Sequence, residues 1–437
     1  MITAHRRSKR LAVMGAVIAA GALALTGCSA SGADGGGSSS GDFTTLGLTS
    51  NSTPNDTLKA LSTAGCQAAQ KSNAIKTDAD EQTQHDQKLQ LLAGQNALPS
   101  VFVSPNTPDL AKQFIKGDKL VDISAELKKD GLEDQILPVA KSTISKLYGQ
   151  ADAYALPNEL NIEGIWYNKK IFSDNGIAVP GTWDELTAAA QKLQSKGIQA
   201  FAGDGKDGWP ITRFVGAYIF RDLGPDALQD VADGKAKLTD AKYVKAAEEV
   251  SKLGKSGAFG QGVASTDYSG ATNQFLSGQA GMFYMGSWIL SNFNDASQNK
   301  IGADDIGFMP FPAVDGGKGS VDQTPANVGQ PLMMSKAAYA KGGAAWLKCI
   351  AQGYGDQVLK KSGVISGFKL SATPSDLPAL TKTVQDQITG STSSVLWFEA
   401  LFNSKATTAS QSNGGSLGNG SLSGADFMQQ VQSALGQ

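Results

Sequence analysis

The hydrophobic pattern of the chain alternates between short apolar runs and longer amphipathic stretches. A short apolar run between turn residues predicts a strand, and apolar residues spaced three or four positions apart predict one face of a helix. Strands and helices that alternate in this way are typical of α/β layers, and they differ from the pattern of a β-sandwich or a helical bundle. We therefore predict an α/β fold in which helices flank the sheets.

Local signals define several of these elements. Residues 98–103 are predicted to form a strand that follows a polar helix ending near Gly94. Residues 104–108 are predicted to form the next loop, and Pro108 is expected to begin a helix because proline suits the first helical turn.

The clearest helix is predicted to start after Thr182. Thr182 and Glu185 have the spacing of a capping box, in which each side chain accepts from the backbone amide of the other residue. Apolar residues recur at helical spacing from Trp183 until Gly197, so we assign Trp183 to the core. A similar helix is predicted over residues 241–253.

A second informative segment is the apolar run at residues 278–286, which is bounded by glycines. We predict a strand here, followed by a helix that starts at Ser287 or Trp288. In open α/β sheets, ligands bind beyond the carboxyl ends of strands, where helix amino ends present free N–H groups. Trp288 is therefore a candidate binding residue.

The amino-terminal segment has the features of an export signal. Four basic residues precede an uncharged run of 15 residues at 11–25, which is shorter than the ~20 residues of a membrane span. The run ends in Leu-Thr-Gly-Cys, which resembles the lipobox of bacterial lipoproteins. That resemblance implies cleavage after residues 1–27 and diacylation of Cys28, whereas the alternative is ordinary cleavage near Ala30.

A flexible tether is predicted over residues 28–42, since the chain after Cys28 is rich in Ser, Gly and Ala and cannot bury a core. About 395 residues remain from Phe43 onward, which suggests two lobes rather than one core. Without the leader, 34 basic residues face 40 acidic ones, a formal charge of −6. Nucleic acid is therefore not an expected partner.

The two remaining cysteines, Cys66 and Cys349, could form a disulfide in an exported protein. Both are predicted to lie in helices. We favour two buried free thiols, because the sequence does not place their Cα atoms near each other.

The order of several segments resembles the extracellular solute-binding proteins of the carbohydrate-uptake class, the group that includes maltose-binding protein. In chain order, the segments are a first strand at residues 43–48, then LPSVFVSP, YALPNELNIEGIWYNKKIF, PGTWDEL, DYSGATNQFLSGQAGMFYMGSW, VLWFEALF and a carboxyl-terminal amphipathic helix. The resemblance spans nearly the whole mature chain. It departs from the family at the first strand, which has no aromatic residue near its end, so contact between the first loop and a ligand stays open.

The resemblance implies a two-lobed periplasmic-binding-protein (Venus-flytrap) fold, in which each lobe is a sheet flanked by helices. Breaks in extended runs predict hinge crossings at residues 157–161, 324–329 and 371–374. We assign the lobes by residue number: the amino-terminal lobe is 43–159 plus 327–374, and the carboxyl-terminal lobe is 160–326 plus 375–437.

A sugar site needs aromatic rings for the C–H face of the sugar and polar groups for its hydroxyls. By resemblance, Trp288 and Trp397 are predicted to be ring contacts, and Trp209 is a further candidate. Trp183 and Trp346 lie on amphipathic helical faces, and we assign both to the core.

The resemblance also places Asn161 at a hinge position that contacts a sugar hydroxyl, directly after Asn158 and Glu159. Each of these three side chains could instead satisfy backbone groups at a turn. Ser104 and Asn106 are candidates because they lie in the loop after a strand.

Two further candidates lie near the other predicted crossings and helix starts. Asp267 precedes the helix that leads to the Trp288 strand, where an N-cap role is the alternative. Gln330 lies at the second hinge crossing and could contribute an amide contact.

The predicted function is that of a monomeric receptor, lipid-anchored at the extracytoplasmic face of the cell membrane of a Gram-positive bacterium. It would bind a sugar by hinge closure, with an oligosaccharide preferred, and deliver it to the permease subunits of an ABC importer. No cofactor or metal is expected, since the chain has only His5 and His85 and lacks a phosphate-binding loop. We expect His85 to lie on a solvated helix face.

Two alternatives are a glycoside hydrolase and an adhesive surface lipoprotein. The hydrolase would use Glu159 and Glu163, but residues four apart on a strand are ~13 Å from each other, beyond the ~5 to 9.5 Å that such carboxylate pairs use. The adhesive role stays open.

Overall fold

The computed structural model describes residues 41–149, 154–372, 374–391 and 394–436. The predicted leader, the lipidation residue Cys28 and most of the tether lie outside these residues. Within the described part of the chain, no helix is both long enough and apolar enough to span a membrane.

Strands and helices alternate along the chain, as predicted. The strands are β1 Phe43–Leu48, β2 Ile75–Asp80, β3 Val101–Val103, β4 Asn161–Asn168, β5 Gln199–Phe201, β6 Ala280–Gly286, β7 Ile306–Met309, β8 Thr324–Asn327, β9 Leu332–Met334 and β10 Ser394–Val395. The helices of the first half are α1 Thr53–Ala64, α2 Gln67–Ser72, α3 Gln82–Gly94, α4 Pro108–Lys116, α5 Ile123–Lys129, α6 Pro138–Tyr148, α7 Lys169–Asp174, α8 Trp183–Ser195 and α9 Trp209–Leu223. Those of the second half are α10 Ala227–Ala232, α11 Ala241–Lys255, α12 Tyr268–Leu276, α13 Leu290–Asn294, α14 Lys336–Tyr339, α15 Gly343–Ser362, α16 Ala379–Gly390, α17 Ser404–Gly418 and α18 Gly424–Leu435.

The strands form two separate sheets. The smaller sheet has the order β2-β1-β3-β9, in which β1 is parallel to β2 and β3, and β9 is antiparallel to β3. The larger sheet has the order β10-β8-β4-β6-β5, and β7 pairs with β4. The chain passes between the sheets after β3, after β8 and after β9. The first two passages lie near predicted hinge crossings, while the lobe boundaries themselves stay a prediction.

Local predictions agree well with the elements of the structure. The Glu185 amide donates to Thr182 Oγ1 at 3.2 Å, and Glu185 Oε2 accepts from the Thr182 amide at 3.1 Å, which confirms the capping box. The core assignments of Trp183 and Trp346 are confirmed, since both are buried. The strand predicted at 98–103 is shorter, because it begins only after Pro99, which cannot donate a ladder hydrogen bond.

The preference for free thiols was wrong. Cys66 and Cys349 form a disulfide with a Cα–Cα distance of 5.6 Å. Cys349 lies in α15 as expected, but Cys66 precedes α2 at its N-cap position. The bridge forms because α15 packs against α1 and α2, a contact between segments 283 residues apart that local sequence signals do not reveal.

The expectation for His85 was also wrong, because its side chain is fully buried. Nδ1 lies 2.8 Å from Asp80 Oδ1, and Nε2 lies 2.8 Å from the backbone oxygen of Val103. A buried polar side chain is tolerated when its hydrogen-bonding groups have partners, as both ring nitrogens have here. His85 therefore ties α3 to the ends of β2 and β3.

Candidate functional site

An aromatic cluster lies beyond the end of β6. The strand ends at Gly286, and a 3₁₀ turn over Ser287–Ile289 follows, which carries Trp288. The Trp288 ring folds back against Gly286, where a Cβ atom would lie only 2.0 Å from the ring. The glycine that ends the strand therefore permits this ring position.

Two further rings join Trp288. The ring centroid of Trp209, the first residue of α9, lies 5.9 Å from that of Trp288 and 6.4 Å from that of Tyr268. The Trp209 and Tyr268 rings are nearly parallel, at 28°. Tyr268, the first residue of α12, was not among the predicted contacts, although it follows the predicted Asp267.

Arg213 links Trp397 to this group. Its Cζ lies 5.2 Å from the ring centroid of Trp209 and 5.3 Å from that of Trp397, so the cation contacts both indoles. The rings of Trp209, Tyr268, Trp288 and Trp397 are all partly exposed. We call these four rings the aromatic patch. The structure thus brings together the three tryptophans that were predicted as ring contacts.

A buried polar network lies next to the patch. Glu163 on β4 is 1% exposed and accepts hydrogen bonds from Arg213 and, at 3.1 Å, from Asn327 Nδ2 on β8. The Tyr284 hydroxyl on β6 donates to Glu163 Oε2 at 3.4 Å. Burial opposes the charged form of Arg213, but the carboxylates of Glu163 and Glu399 outweigh it and raise the pKa of Arg213. Arg213 therefore stays charged.

Glu399 is the second buried carboxylate of this network. Its Oε1 accepts hydrogen bonds from Thr212 and, at 2.8 Å, from Ser410, and its Oε2 lies 4.0 Å from Arg213 Nε. Burial raises the pKa of Glu399, and the hydrogen bonds and Arg213 act against that shift. The site thus contains one cation between two carboxylates.

Asn161 lies at the same edge of the larger sheet as Trp288. It is the first residue of β4, opposite Asn327 on β8, and its Oδ1 accepts from the Ser287 hydroxyl at 3.2 Å. Ser287 Oγ accepts in turn from the Ile162 amide at 3.2 Å. Asn161 is 7% exposed, so its side chain lies just beneath the surface.

The residues just before β4 connect this edge to the smaller sheet. Glu159 Oε1 accepts from Asn51 Nδ2 at 2.9 Å, and Asn51 belongs to the loop after β1. Gly329 lies against Glu159, where a Cβ would be 2.8 Å from Oε2 and where φ is +58°. Asn158 is 1% exposed, and among the described residues its Oδ1 has no hydrogen-bond partner.

The other predicted residues of the smaller sheet lie at the carboxyl end of β3. Asn106 is exposed, and its Oδ1 accepts from Gln330 Nε2 at 2.6 Å. The Ser104 amide donates to the Pro331 oxygen at 2.8 Å, while its side chain is buried and hydrogen-bonds to Tyr148. The structure therefore brings Asn106 and Gln330 together and turns Ser104 inward.

Asp267 adopts the N-cap position that was its alternative role. Its Oδ1 accepts from the Gly270 amide at 3.0 Å, and this hydrogen bond is the main reason why the pKa of Asp267 is lowered. Sequence reasoning missed Asp204, which is fully buried nearby and accepts from the Asp207 amide at 3.0 Å. Burial raises the pKa of Asp204 to about 7.

The predicted residues therefore form two groups. One group holds the aromatic patch, Asn161 and Asp267 beside the larger sheet. The other holds Ser104, Asn106 and Gln330 at the end of β3. Residues 158–161 connect the two sheet edges. Neither group contains an accessible carboxylate pair built from Glu159 and Glu163, because Glu163 is buried and paired with Arg213.

Comparison with known families defines the class of protein to which this fold and site belong. Residues 67–351 match the family described as bacterial extracellular solute-binding protein. This match covers more than half of the chain, so the protein belongs to that family. Its members are receptors rather than enzymes, which argues against the hydrolase alternative.

Individual relatives are more distant. The chain is 25% identical over 242 residues to the alpha-glucosides-binding periplasmic protein AglE of Rhizobium meliloti, an alignment that covers 52% of each chain. It is 25% identical over 174 residues to the multiple sugar-binding protein of Streptococcus mutans, which covers 38% of this chain and 40% of the relative. The chain thus spans about half or less of the length of these curated relatives.

Solved structures confirm the two-lobed α/β fold. A chitin oligosaccharide binding protein matches with a TM-score of 0.73 at 24% identity, over 92% of this chain and 99% of that one. A probable secreted solute-binding lipoprotein from Streptomyces coelicolor matches with a TM-score of 0.74 at 19% identity, over 90% and 98%. At these identities, the likeness concerns the fold alone.

Proposed function

We propose that the protein is a sugar receptor that holds an oligosaccharide between its two lobes and delivers it to an ABC importer. The observation that carries this proposal is the aromatic patch, in which four partly exposed rings lie together beyond the end of β6. Aromatic faces suit the C–H surfaces of sugar rings, and several adjacent rings suit a guest of more than one sugar unit. The printed names of the curated relatives, which refer to sugars and glucosides, support the same class of guest.

The charges of the site favour an uncharged guest. Arg213 contacts Trp209 and Trp397 of the aromatic patch, and it already lies next to the carboxylates of Glu163 and Glu399. An anionic guest would therefore have to compete with these two carboxylates for Arg213. Sugar hydroxyls could instead use amides such as Asn106 and Gln330, as well as Asn161 if hinge motion exposes it.

The proposed mechanism is hinge closure. A guest that contacts both the aromatic patch and the Asn106–Gln330 pair makes more contacts in the closed arrangement than in the open one, so binding shifts the population toward closure. No bond of the guest is broken. The lobe boundaries given above and the monomeric state belong to this proposal.

Membrane attachment through Cys28 is also part of the proposal. Its support is the lipobox-like sequence after a 15-residue apolar run and the Ser/Gly-rich segment that follows. A tether of this kind would keep the receptor close to its importer and raise the local concentration of loaded receptor.

Calorimetry with the leader-free protein tests the function. We expect heat of binding with at least one oligosaccharide from a panel that also contains monosaccharides, amino acids and peptides. Small-angle scattering should show a smaller radius of gyration with the bound sugar than without it. Tight binding of an amino acid or peptide in place of any sugar would contradict the proposal, as would consumption of the sugar.

A further inference from the structure

Arg213 contacts two indole rings in addition to its ion pair with Glu163. It lies one helical turn after Trp209 on α9, so its side chain returns over the Trp209 ring. Trp397 contacts the same guanidinium at a distance of 5.3 Å. Two partly exposed rings from distant parts of the chain therefore share one cation.

The guanidinium is itself held in place by a hydrogen-bond network on strands β4, β6 and β8. Glu163, which accepts from Arg213, is also fixed by Asn327 on β8 and Tyr284 on β6. The Arg213 side chain is 13% exposed, so it is packed between the rings and reaches the surface only at its edge. A shift of the strands that carry Glu163 and its partners would thus move the cation between the two indoles.

We propose that Arg213 is a positioning residue for sugar binding: held by Glu163, it sets the spacing and tilt of Trp209 and Trp397 and thereby the affinity of the aromatic patch. This inference rests on the proposed function. It gives Arg213 and Glu163 a role in affinity that does not require either side chain to contact the sugar.

The variant Arg213→Lys separates this role from simple charge pairing. Lysine keeps a positive charge for Glu163, but a compact ammonium cannot stack on two indoles as a planar guanidinium does. We expect R213K to keep a circular dichroism spectrum and a melting temperature close to those of the unchanged protein. Its affinity for the sugar should fall at least fivefold, and its tryptophan emission without sugar should change.

A second pair of variants keeps the inference testable if R213K folds poorly. Glu163→Gln removes the charge that holds Arg213 with little change in shape, and it should also weaken sugar binding. The double variant R213Q/E163Q removes the buried charge of Glu163 together with that of its partner, so its stability should recover in part relative to R213Q, while Glu399 keeps its hydrogen bonds from Thr212 and Ser410. Its affinity should stay low, because the cation between the rings is still missing.

Lys245→Gln is a matched control. Lys245 pairs with Asp222 at 3.0 Å, and its Nζ lies 5.6 Å from the Tyr218 ring centroid, so it combines an ion pair with a cation–π contact away from the aromatic patch. We expect this variant to bind sugar with unchanged affinity and to keep its tryptophan emission.

The outcomes distinguish the two proposals. If the unchanged protein binds sugar and R213K binds within twofold of it with unchanged emission, the positioning role is wrong and the proposed function stands. If the unchanged protein binds no sugar of the panel, the proposed function fails and the positioning role fails with it.

Discussion

Replacement of Trp288 by alanine would remove one ring of the aromatic patch and leave the fold in place. Trp288 is partly exposed, and its ring contacts Trp209 and folds over Gly286. The loss of one aromatic contact costs ~1 kcal/mol or more. This cost corresponds to a dissociation constant about fivefold higher. Calorimetric titration with the tightest-binding oligosaccharide of the panel measures the change.

The control for this prediction is Trp346→Phe, which changes a tryptophan that we assign to the core. Trp346 is fully buried, stacks on Phe43 with centroids 4.6 Å apart, and donates from its indole N–H to the Asn73 oxygen at 2.9 Å. Phenylalanine cannot make this hydrogen bond, so W346F should lower the free energy of unfolding by ~1 kcal/mol. Its affinity for the sugar should stay unchanged. Equal affinities of W288A and the unchanged protein would show that Trp288 is not part of the site. A loss of affinity in W346F would show that the measured affinity follows the stability of the fold rather than contacts with the sugar.

Three further predictions concern stability. Replacement of Cys66 and Cys349 by serine should lower the free energy of unfolding by up to ~5 kcal/mol, because the bridge closes a loop of 283 residues. Urea unfolding measures the change, and an unchanged urea midpoint would contradict the prediction. The pKa of Asp204 is raised to about 7, so between pH ~4 and pH ~7 the folded protein keeps a proton on this carboxyl that the unfolded chain has released. The free energy of unfolding that this group contributes is therefore lost as the pH rises through this range. Asp204→Asn should therefore gain stability relative to the unchanged protein between pH 5 and pH 7.5, and a parallel pH dependence of the two would refute the shift. Thr182→Ala should cost ~1 kcal/mol of unfolding free energy through the lost helix cap and leave sugar affinity unchanged.

Local signals in the sequence predicted those parts of the fold that depend on neighbouring residues. The capping box at Thr182 and the helix that begins at Ala241 are examples, because a cap and an apolar helical face can be recognised without a distant partner. The resemblance to a known family added the predicted grouping of Trp288 with Trp397. The structure connects these two rings through Arg213 and Trp209.

The residues that were missed or misjudged depend on distant partners. Glu163 lies in a strand that is otherwise mostly apolar, and Glu399 lies in a similar run, so each could be suspected of needing a buried cation. The sequence does not say that Arg213 is that cation. His85 was judged by its polar neighbours, but its burial follows from contacts with Asp80 and Val103.

The bond between Cys66 and Cys349 has a topological consequence. Every strand of the larger sheet except β10 lies within the segment that this bond closes into a ring. A protease that cuts once between residues 66 and 349 would therefore leave two fragments that stay covalently joined. They would migrate apart on a denaturing gel only after reduction, so a chain nicked once in this segment stays a single covalent molecule.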